Sequence, residues 1–91
     1  MRQQSILLRA VNPKYNMNRF YYIQVGEDLF DTPYMMTTYG RSGTSGRTKN
    51  YAFDSWSHLD KQLSKTLRKR LNAKNRIGCN YQIQIHHQDE F

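Results

Sequence analysis

The chain has little cysteine, little proline and no long hydrophobic run. Its 91 residues include one cysteine, Cys79, and two prolines. A single cysteine excludes an intrachain disulfide and a zinc site built from several cysteines, so we interpret Cys79 as a small filler and expect a reducing, cytoplasmic location. No apolar stretch is long enough to cross a membrane. Residues 5–11 are too short for a signal peptide, and Arg9 interrupts them.

Large aliphatic side chains and phenylalanine are also scarce. Leu, Ile, Val and Phe account for 18 of the 91 residues, a share close to that of disordered chains. Seven tyrosines, four methionines and one tryptophan compensate, because these side chains can fill a core or coat a binding face. We therefore predict one folded domain over residues 1–91 with a thin core. The core is expected within about residues 4–85, followed by a polar tail at 86–91.

Acidic residues are few, and basic residues are concentrated in one stretch. The chain has 14 Lys and Arg against seven Asp and Glu, a net charge of +7. Residues 41–76 contain ten of the basic residues and only two acidic ones. Such a block is typical of a surface that binds an anionic partner, most often nucleic acid. A membrane surface and a merely solvated helix face are the alternatives from charge alone; we favour nucleic acid and expect no membrane partner.

The pattern of apolar residues predicts five strands and one helix. Strand-like segments, rich in apolar, β-branched and aromatic residues, are 4–11, 19–25, 34–39, 47–53 and 81–85. Ser55 is a good helix N-cap, and an apolar stripe follows it at spacings of three and four: Trp56, Leu59, Leu63, Leu67 and Leu71. Residues 75–80 are expected to end the helix. The predicted fold class is α+β, with an antiparallel sheet of about five strands and one long helix packed on it (β-β-β-β-α-β).

The segment Tyr39-Gly40-Arg41-Ser42-Gly43-Thr44-Ser45-Gly46-Arg47 is the richest local feature. Two arginines flank a loop of small residues, whose glycines permit positive φ and close backbone approach. Amides and hydroxyls in such a loop can hold a phosphate. A plain hairpin loop is the alternative interpretation. The segment is not a P-loop, because it lacks the final Lys-Ser/Thr pair and precedes a strand rather than a helix.

This segment resembles the WGR domain family, whose Trp-Gly-Arg triplet reads Tyr39-Gly40-Arg41 here. Further blocks agree in order and spacing at residues 18–25, 42–48 and 51–55, and a basic helix with a glycine near its end follows. The resemblance covers about residues 4–85, so the chain looks like the small bacterial proteins that consist of little but this domain. It implies an antiparallel sheet with one helix on a face, and DNA binding.

In poly(ADP-ribose) polymerases that DNA breaks activate, this domain contacts the DNA end. The resemblance therefore implies that Tyr39 stacks on the terminal nucleotide, with Gly40 beside it, and that Arg41 contacts the phosphate backbone. Asn18 is implied to hydrogen-bond nearby. Two departures stand out: Tyr39 has less stacking area than the family's Trp, and Ser42 replaces a branched apolar residue. We expect a weaker preference for ends and altered loop packing.

Basic residues near the loop and on the helix complete the predicted nucleic-acid-binding set: Arg47, Lys49, Lys65, Arg68 and Lys69. Phosphate contacts by such side chains give sequence-independent affinity that falls with salt. We predict a DNA-binding module that favours duplex ends or nicks, with a separately encoded enzyme as a further candidate partner. Two alternatives stay open: a module whose exposed tyrosines dock an acidic protein, and a binder of single strands or RNA.

No residue pattern recommends catalysis, a cofactor or a metal, and we expect none of the three. His86 and His87 are adjacent, and adjacent side chains on a strand point to opposite faces, so they cannot jointly chelate an ion. The acidic residues at 27, 28 and 31 fall in a predicted turn. Solvated acids are commoner there than a catalytic pair.

Overall fold

Five antiparallel strands form one sheet, and a single helix packs across one of its faces. The computed structural model describes residues 2–74 and 78–90. Across the sheet the strand order is β4-β3-β2-β1-β5, which confirms the predicted fold class and element order. The elements are β1 (Arg2–Asn12), a 3₁₀ turn (Pro13–Tyr15), β2 (Met17–Glu27), β3 (Pro33–Arg41), β4 (Arg47–Ala52), α1 (Trp56–Leu71) and β5 (Gln82–Glu90).

The core lies between the helix and alternate residues of the central strands. Every second residue of β1 from Gln4 to Ala10 is buried, and the same alternation continues on β2 and β3. Leu59 and Leu63 of α1 pack onto this face, as their spacing predicts. The buried apolar side chains are Ile6, Leu8, Ala10, Tyr21, Ile23, Val25, Met35, Leu59, Leu63, Ala73 and Tyr81.

Helix α1 begins and ends at capping residues. Ser55 Oγ accepts a hydrogen bond from the backbone N–H of His58 (3.2 Å), which confirms the predicted N-cap. Asn72 donates to the carbonyl of Arg68 from its backbone N–H (3.1 Å) and from its side-chain amide (2.9 Å). These two bonds end α1 before the predicted segment 75–80, whose first three residues lie outside the described part of the chain.

The last strand is longer than the sequence predicts. The sequence predicts that residues 86–91 form a polar tail after the last strand. As far as Glu90 these residues instead belong to β5, which pairs with β1 as far as Arg2. Phe91 lies outside the described residues. Residues 82–88 are exposed at the sheet edge, where backbone pairing with β1 forms the strand. An exposed edge strand needs no apolar alternation, and polar residues there discourage pairing with other chains.

The loop between β3 and β4 passes close to the end of β3 and requires glycine at position 46. Gly46 has a φ of +72°, and a Cβ there would lie 2.5 Å from the carbonyl oxygen of Tyr39 and 2.9 Å from Phe20 Cζ. Gly43 has a φ of +90°, yet a Cβ at that position meets nothing within 4 Å. Alanine substitution at these two positions therefore separates the cost of a positive φ, which both share, from the cost of a steric clash, which only position 46 has.

We expect Gly46→Ala to lower the free energy of unfolding by roughly 3 kcal/mol and Gly43→Ala by about 1 kcal/mol. Both variants hold alanine at positive φ, but only Gly46→Ala also drives a methyl group into the backbone of β3. Urea denaturation followed by circular dichroism measures both losses. Equal losses in the two variants contradict the close approach.

Candidate nucleic-acid interface

Four arginines from different elements meet in one recess at the end of β3, which we call the arginine recess. It encloses about 590 Å³ and opens to solvent. Its lining contains no acidic side chain among the described residues, so its potential is positive. The lining comprises Arg19 of β2, Tyr39, Gly40 and Arg41 of β3, loop residues 44–46, Arg47 of β4, Arg70 of α1, and Tyr81 just before β5.

Strand register brings the arginine recess together. Tyr39 pairs with Tyr21 on one side and with Arg47 on the other, and Arg41 pairs with Arg19. Directly opposed residues in an antiparallel pair share one face of the sheet. Because Tyr21 and Tyr39 pack toward the helix, the three arginines also lie on the helix side. The last turn of α1 packs over this face of the sheet and adds Arg70 to the lining of the recess.

A second recess of about 250 Å³ adjoins the first and shares Tyr39 and Arg70 with it. We call it the lysine recess, because Lys49, Lys65 and Lys69 lie in its lining. No acidic side chain of the described residues lines it either. The predicted basic residues of β4 and α1 therefore continue the positive surface away from the loop. The remaining lining residues are Tyr21, Tyr51, Gln62 and Thr66.

Arg70 is held between aromatic rings where the two recesses meet. Its guanidinium carbon lies 4.2 Å from the ring centroid of Tyr21, 5.8 Å from that of Tyr81 and 5.9 Å from that of Tyr39. Its Nε is buried and has no hydrogen-bond partner among the described residues. The negative faces of aromatic rings attract a cation and compensate in part for this lost hydration.

Tyr39 forms a wall of the site rather than a freely exposed ring. It is half-buried and stacks on Tyr21, with ring centroids 5.5 Å apart and an interplanar angle of 18°. Lys49 Nζ lies 5.8 Å from its ring centroid. The ring nevertheless lines both recesses. A nucleotide entering either recess therefore meets a tyrosine whose plane is already fixed.

Gly40 and Arg41 shape the end of β3. A Cβ at Gly40 would lie 3.0 Å from the Cα of Gly46, so glycine lets the returning loop pack against the strand. Arg41 donates from Nη1 to the carbonyl of Asn16 (3.1 Å) and from Nη2 to its side-chain oxygen (3.2 Å). Its guanidinium is thereby held in place at the edge of the arginine recess.

Asn18 and Ser42 support the loop from the opposite side of the sheet. Ser42 donates to Asn18 from its backbone N–H (to the carbonyl, 2.8 Å) and from its hydroxyl (to the side-chain oxygen, 2.8 Å). Arg9 Nη2 donates to the Ser42 hydroxyl at 2.8 Å. This polar network explains how serine replaces the family's branched apolar residue. The contact of Asn18 with nucleic acid stays a prediction.

The loop hydroxyls are less available than the sequence suggests. Ser42 Oγ is engaged with Asn18, and Thr44 Oγ1 donates to the carbonyl of Arg41 at 2.7 Å. Of the three predicted phosphate-binding hydroxyls, only that of Ser45 forms no hydrogen bond to the described residues while it lines the arginine recess. Charge from the arginines, rather than loop hydroxyls, therefore dominates this site.

Arg68 lies apart from the other predicted residues. It lines a shallow depression on the outer face of α1, together with Lys61 and Asp60. Asp60 accepts an ion-pair contact from Arg2 at 2.7 Å. The depression has no aromatic side chain, and its carboxylate weakens the positive potential, so we leave Arg68 outside both recesses. Lys65 lines this depression as well as the lysine recess.

Three residues that the sequence did not single out line the arginine recess: Arg19, Arg70 and Tyr81. For Arg70 a signal exists, because it continues the series Leu59, Leu63, Thr66 at helical spacing onto the buried face. Arg19 lies two residues before Tyr21 on β2, and this spacing places both side chains on one face of the sheet. Tyr81 shares the apolar positions of the predicted strand with Ile83 and Ile85, but those two isoleucines are exposed, so the alternation does not single out Tyr81 as the buried residue.

Other kinds of site are not evident in the part of the chain that is described. No three His, Cys, Asp or Glu side chains there come close enough to hold a metal ion. None of the described helices combines the length and the apolar character needed to cross a membrane.

The fold and its two basic, tyrosine-walled recesses define a small α+β module with the charge to bind a polyanion. The sequence model of the WGR domain family matches residues 4–78. The chain therefore belongs to the WGR domain family, whose domains are generally nucleic-acid-binding modules. A search of curated proteins found no match.

We expect Arg70→Ala to lower the free energy of unfolding by about 1–2 kcal/mol, because it removes a cation packed against three rings. Arg68→Ala is the matched control, since it removes the same charge from the same helical turn at an exposed position. Its loss is expected to stay below about 0.5 kcal/mol. Chemical denaturation of both variants makes the comparison, and equal losses indicate that the ring contacts add no stability.

Proposed function

We propose that this chain binds duplex DNA without sequence preference and favours strand ends or nicks. The arginine recess carries this proposal, because it gathers four guanidinium groups and no described carboxylate against a tyrosine wall. Guanidinium groups suit phosphate through paired, charge-assisted hydrogen bonds. The family match supports nucleic acid as the class of ligand.

The position of the basic residues suits backbone contact rather than reading of base edges. Arg19, Arg41 and Arg47 come from three strands and converge on one recess. Sequence reading in duplex DNA instead requires an element that enters a groove. Backbone contacts set register and affinity but carry no sequence information.

A preference for ends follows from Tyr39. Inside a duplex both faces of each base are covered by neighbours, whereas a terminal or nicked nucleotide exposes one face. A base that stacks on the tyrosine wall gains roughly 1–3 kcal/mol, and in duplex DNA only an end or a break exposes a base face for that contact. The lysine recess continues from the same ring, so Lys49, Lys65 and Lys69 are placed to contact phosphates further along the strand.

In this proposal the chain contributes binding and no catalysis. Repair or signalling at the bound end then requires an enzyme encoded separately, which is the further partner that we propose. Two other functions make different predictions: a protein-docking module binds a partner that survives nuclease treatment, and an RNA or single-strand binder prefers unpaired strands.

Fluorescence anisotropy with three labelled DNAs over a salt series tests the proposal. The DNAs are an open 5′-phosphorylated duplex, a duplex with hairpin-capped ends, and a single strand. We expect tightest binding to the open duplex, with log Kd changing by about 0.9 per phosphate contacted for each tenfold change in salt. Equal binding to open and capped duplexes reduces the chain to a general backbone binder. Absence of binding at low salt overturns DNA as the ligand.

We expect Arg41→Ala and Arg47→Ala each to weaken binding to the open duplex by about tenfold and to lower the salt slope by about one contact. Each variant removes one guanidinium group from the arginine recess. Lys61→Ala is the matched control, because it removes one charge from the outer face of α1. The same anisotropy series measures all three. Loss of affinity in the control equal to that in the arginine variants points to net charge and away from the recess.

We expect Tyr39→Leu to reduce the ratio of open-duplex to capped-duplex affinity by roughly tenfold, since it removes the stacking surface. Tyr39→Phe keeps the ring and is expected to keep the ratio. Thermal unfolding confirms that both variants are folded at the assay temperature. An unchanged ratio in folded Tyr39→Leu contradicts the stacking role.

A further inference from the structure

The turn between β2 and β3 exposes two large apolar side chains that acidic residues flank in the sequence. Leu29 is 98 % exposed and Phe30 is 86 % exposed, the highest values among the large apolar side chains described. Three of the chain's seven acidic residues flank this pair: Glu27, Asp28 and Asp31. None of these three carboxylates forms an ion pair with a described residue. We call residues 27–31 the acidic tip.

The acidic tip holds its shape without burying its apolar pair. Asp28 Oδ1 accepts from the backbone N–H groups of Phe30 (2.8 Å) and Thr32 (3.0 Å). The backbone N–H of Asp28 donates to the carbonyl of Thr32 at 3.1 Å, and Asp31 turns the chain with a φ of +59°. Leu29 and Phe30 are therefore fixed outward by polar bonds, which leaves their surfaces available to a partner. Preorganisation of this kind lowers the entropy that binding must overcome.

The acidic tip and the arginine recess lie at opposite ends of the same hairpin. β3 starts at Pro33, beside the tip, and ends at Arg41, in the recess. Nine residues of strand separate them by about 27 Å, at roughly 3.3 Å per residue. The tip of one chain cannot reach its own recess, whereas it can reach that of another chain.

The two surfaces are complementary in chemistry. The arginine recess offers guanidinium groups and the rings of Tyr39 and Tyr81. The acidic tip offers carboxylates around a phenyl ring and an isobutyl group. Aromatic side chains pair with rings and with guanidinium planes, and carboxylates accept from guanidinium groups. Each feature of the tip thus has a counterpart in the recess.

We propose that the acidic tip of one copy of this chain docks into the arginine recess of a second copy, head to tail. Because the two contacting surfaces differ, each dimer keeps one free tip and one free recess, and chains of copies can form. The net charge of +7 opposes association, so the contact is weak and appears at high protein concentration. The proposal uses the recess assigned to DNA, but it does not require that the chain bind DNA.

A complementation experiment by sedimentation velocity tests this contact in the absence of DNA. Variant Leu29→Ser/Phe30→Ser removes the apolar pair of the tip and keeps the recess. Variant Arg47→Glu damages the recess and keeps the tip. Both changes fall on exposed residues, so the fold is expected to persist. We expect the unchanged chain to form species larger than dimers as its concentration rises from about 10 to 500 µM.

Each variant alone is expected to associate at least tenfold more weakly than the unchanged chain. An equimolar mixture is expected to form heterodimers that grow no further, because it contains one intact tip and one intact recess per pair. Val11→Ser, which alters another exposed apolar residue, is the control and is expected to associate like the unchanged chain. A monomer at every concentration, undiminished association in either variant, or a mixture without dimers overturns the proposal.

Open-ended duplex DNA separates this proposal from the proposed function. If the chain binds DNA at the arginine recess, saturating duplex is expected to dissociate the head-to-tail species, and the tip variant is expected to bind duplex as tightly as the unchanged chain. If the chain associates and the variants behave as described, but no duplex binds, the DNA function fails and the head-to-tail contact stands. If a strictly monomeric chain binds DNA, the head-to-tail contact fails and the DNA function stands.

Discussion

The cation of Arg70, held among the rings of Tyr21, Tyr39 and Tyr81, is the contact on which the site depends. A guanidinium group loses hydration when it enters a protein, and here aromatic faces replace part of that hydration. The same contact ties the last turn of α1 to the sheet. Because it lies where both recesses meet, helix packing and site geometry cannot vary independently.

In a chain that is poor in aliphatic residues, tyrosine side chains fill part of the core and also line the candidate site. Tyr21 is only 4 % exposed and belongs to the core, while Tyr39, stacked on it, belongs to both core and site. A ring that is apolar on its faces and polar at its tip can span this boundary without an unsatisfied group. The orientation of the Tyr39 ring is therefore set by its packing on a core residue and not by the loop that follows β3.

The sequence predicts features that a repeating pattern encodes. Alternation places Ile6 and Leu8 on one face, and helical spacing places Leu59 and Leu63 against them, as the structure confirms. The last strand is predicted only as far as residue 85, and its continuation to Glu90 is missed, because edge pairing involves the backbone and requires no apolar pattern. Arg70 is missed for a different reason. Its helical spacing from Leu59 and Leu63 places it on the buried face, but it stands among three consecutive basic residues, and a charged side chain is expected in solvent.

The β2–β3 hairpin carries negative charge at its acidic tip and positive charge at the arginine recess, and the distance between the two decides how they interact. The carboxylates of the tip lie about 27 Å from the arginine recess, several times the screening length of roughly 8 Å at physiological salt. Within one molecule they therefore do not neutralise the positive potential of the recess. Between molecules the two ends can come into contact, and screening no longer separates them. If the recess binds DNA and also binds the acidic tip of another copy, the two ligands compete for one surface, and protein concentration and ionic strength decide between them.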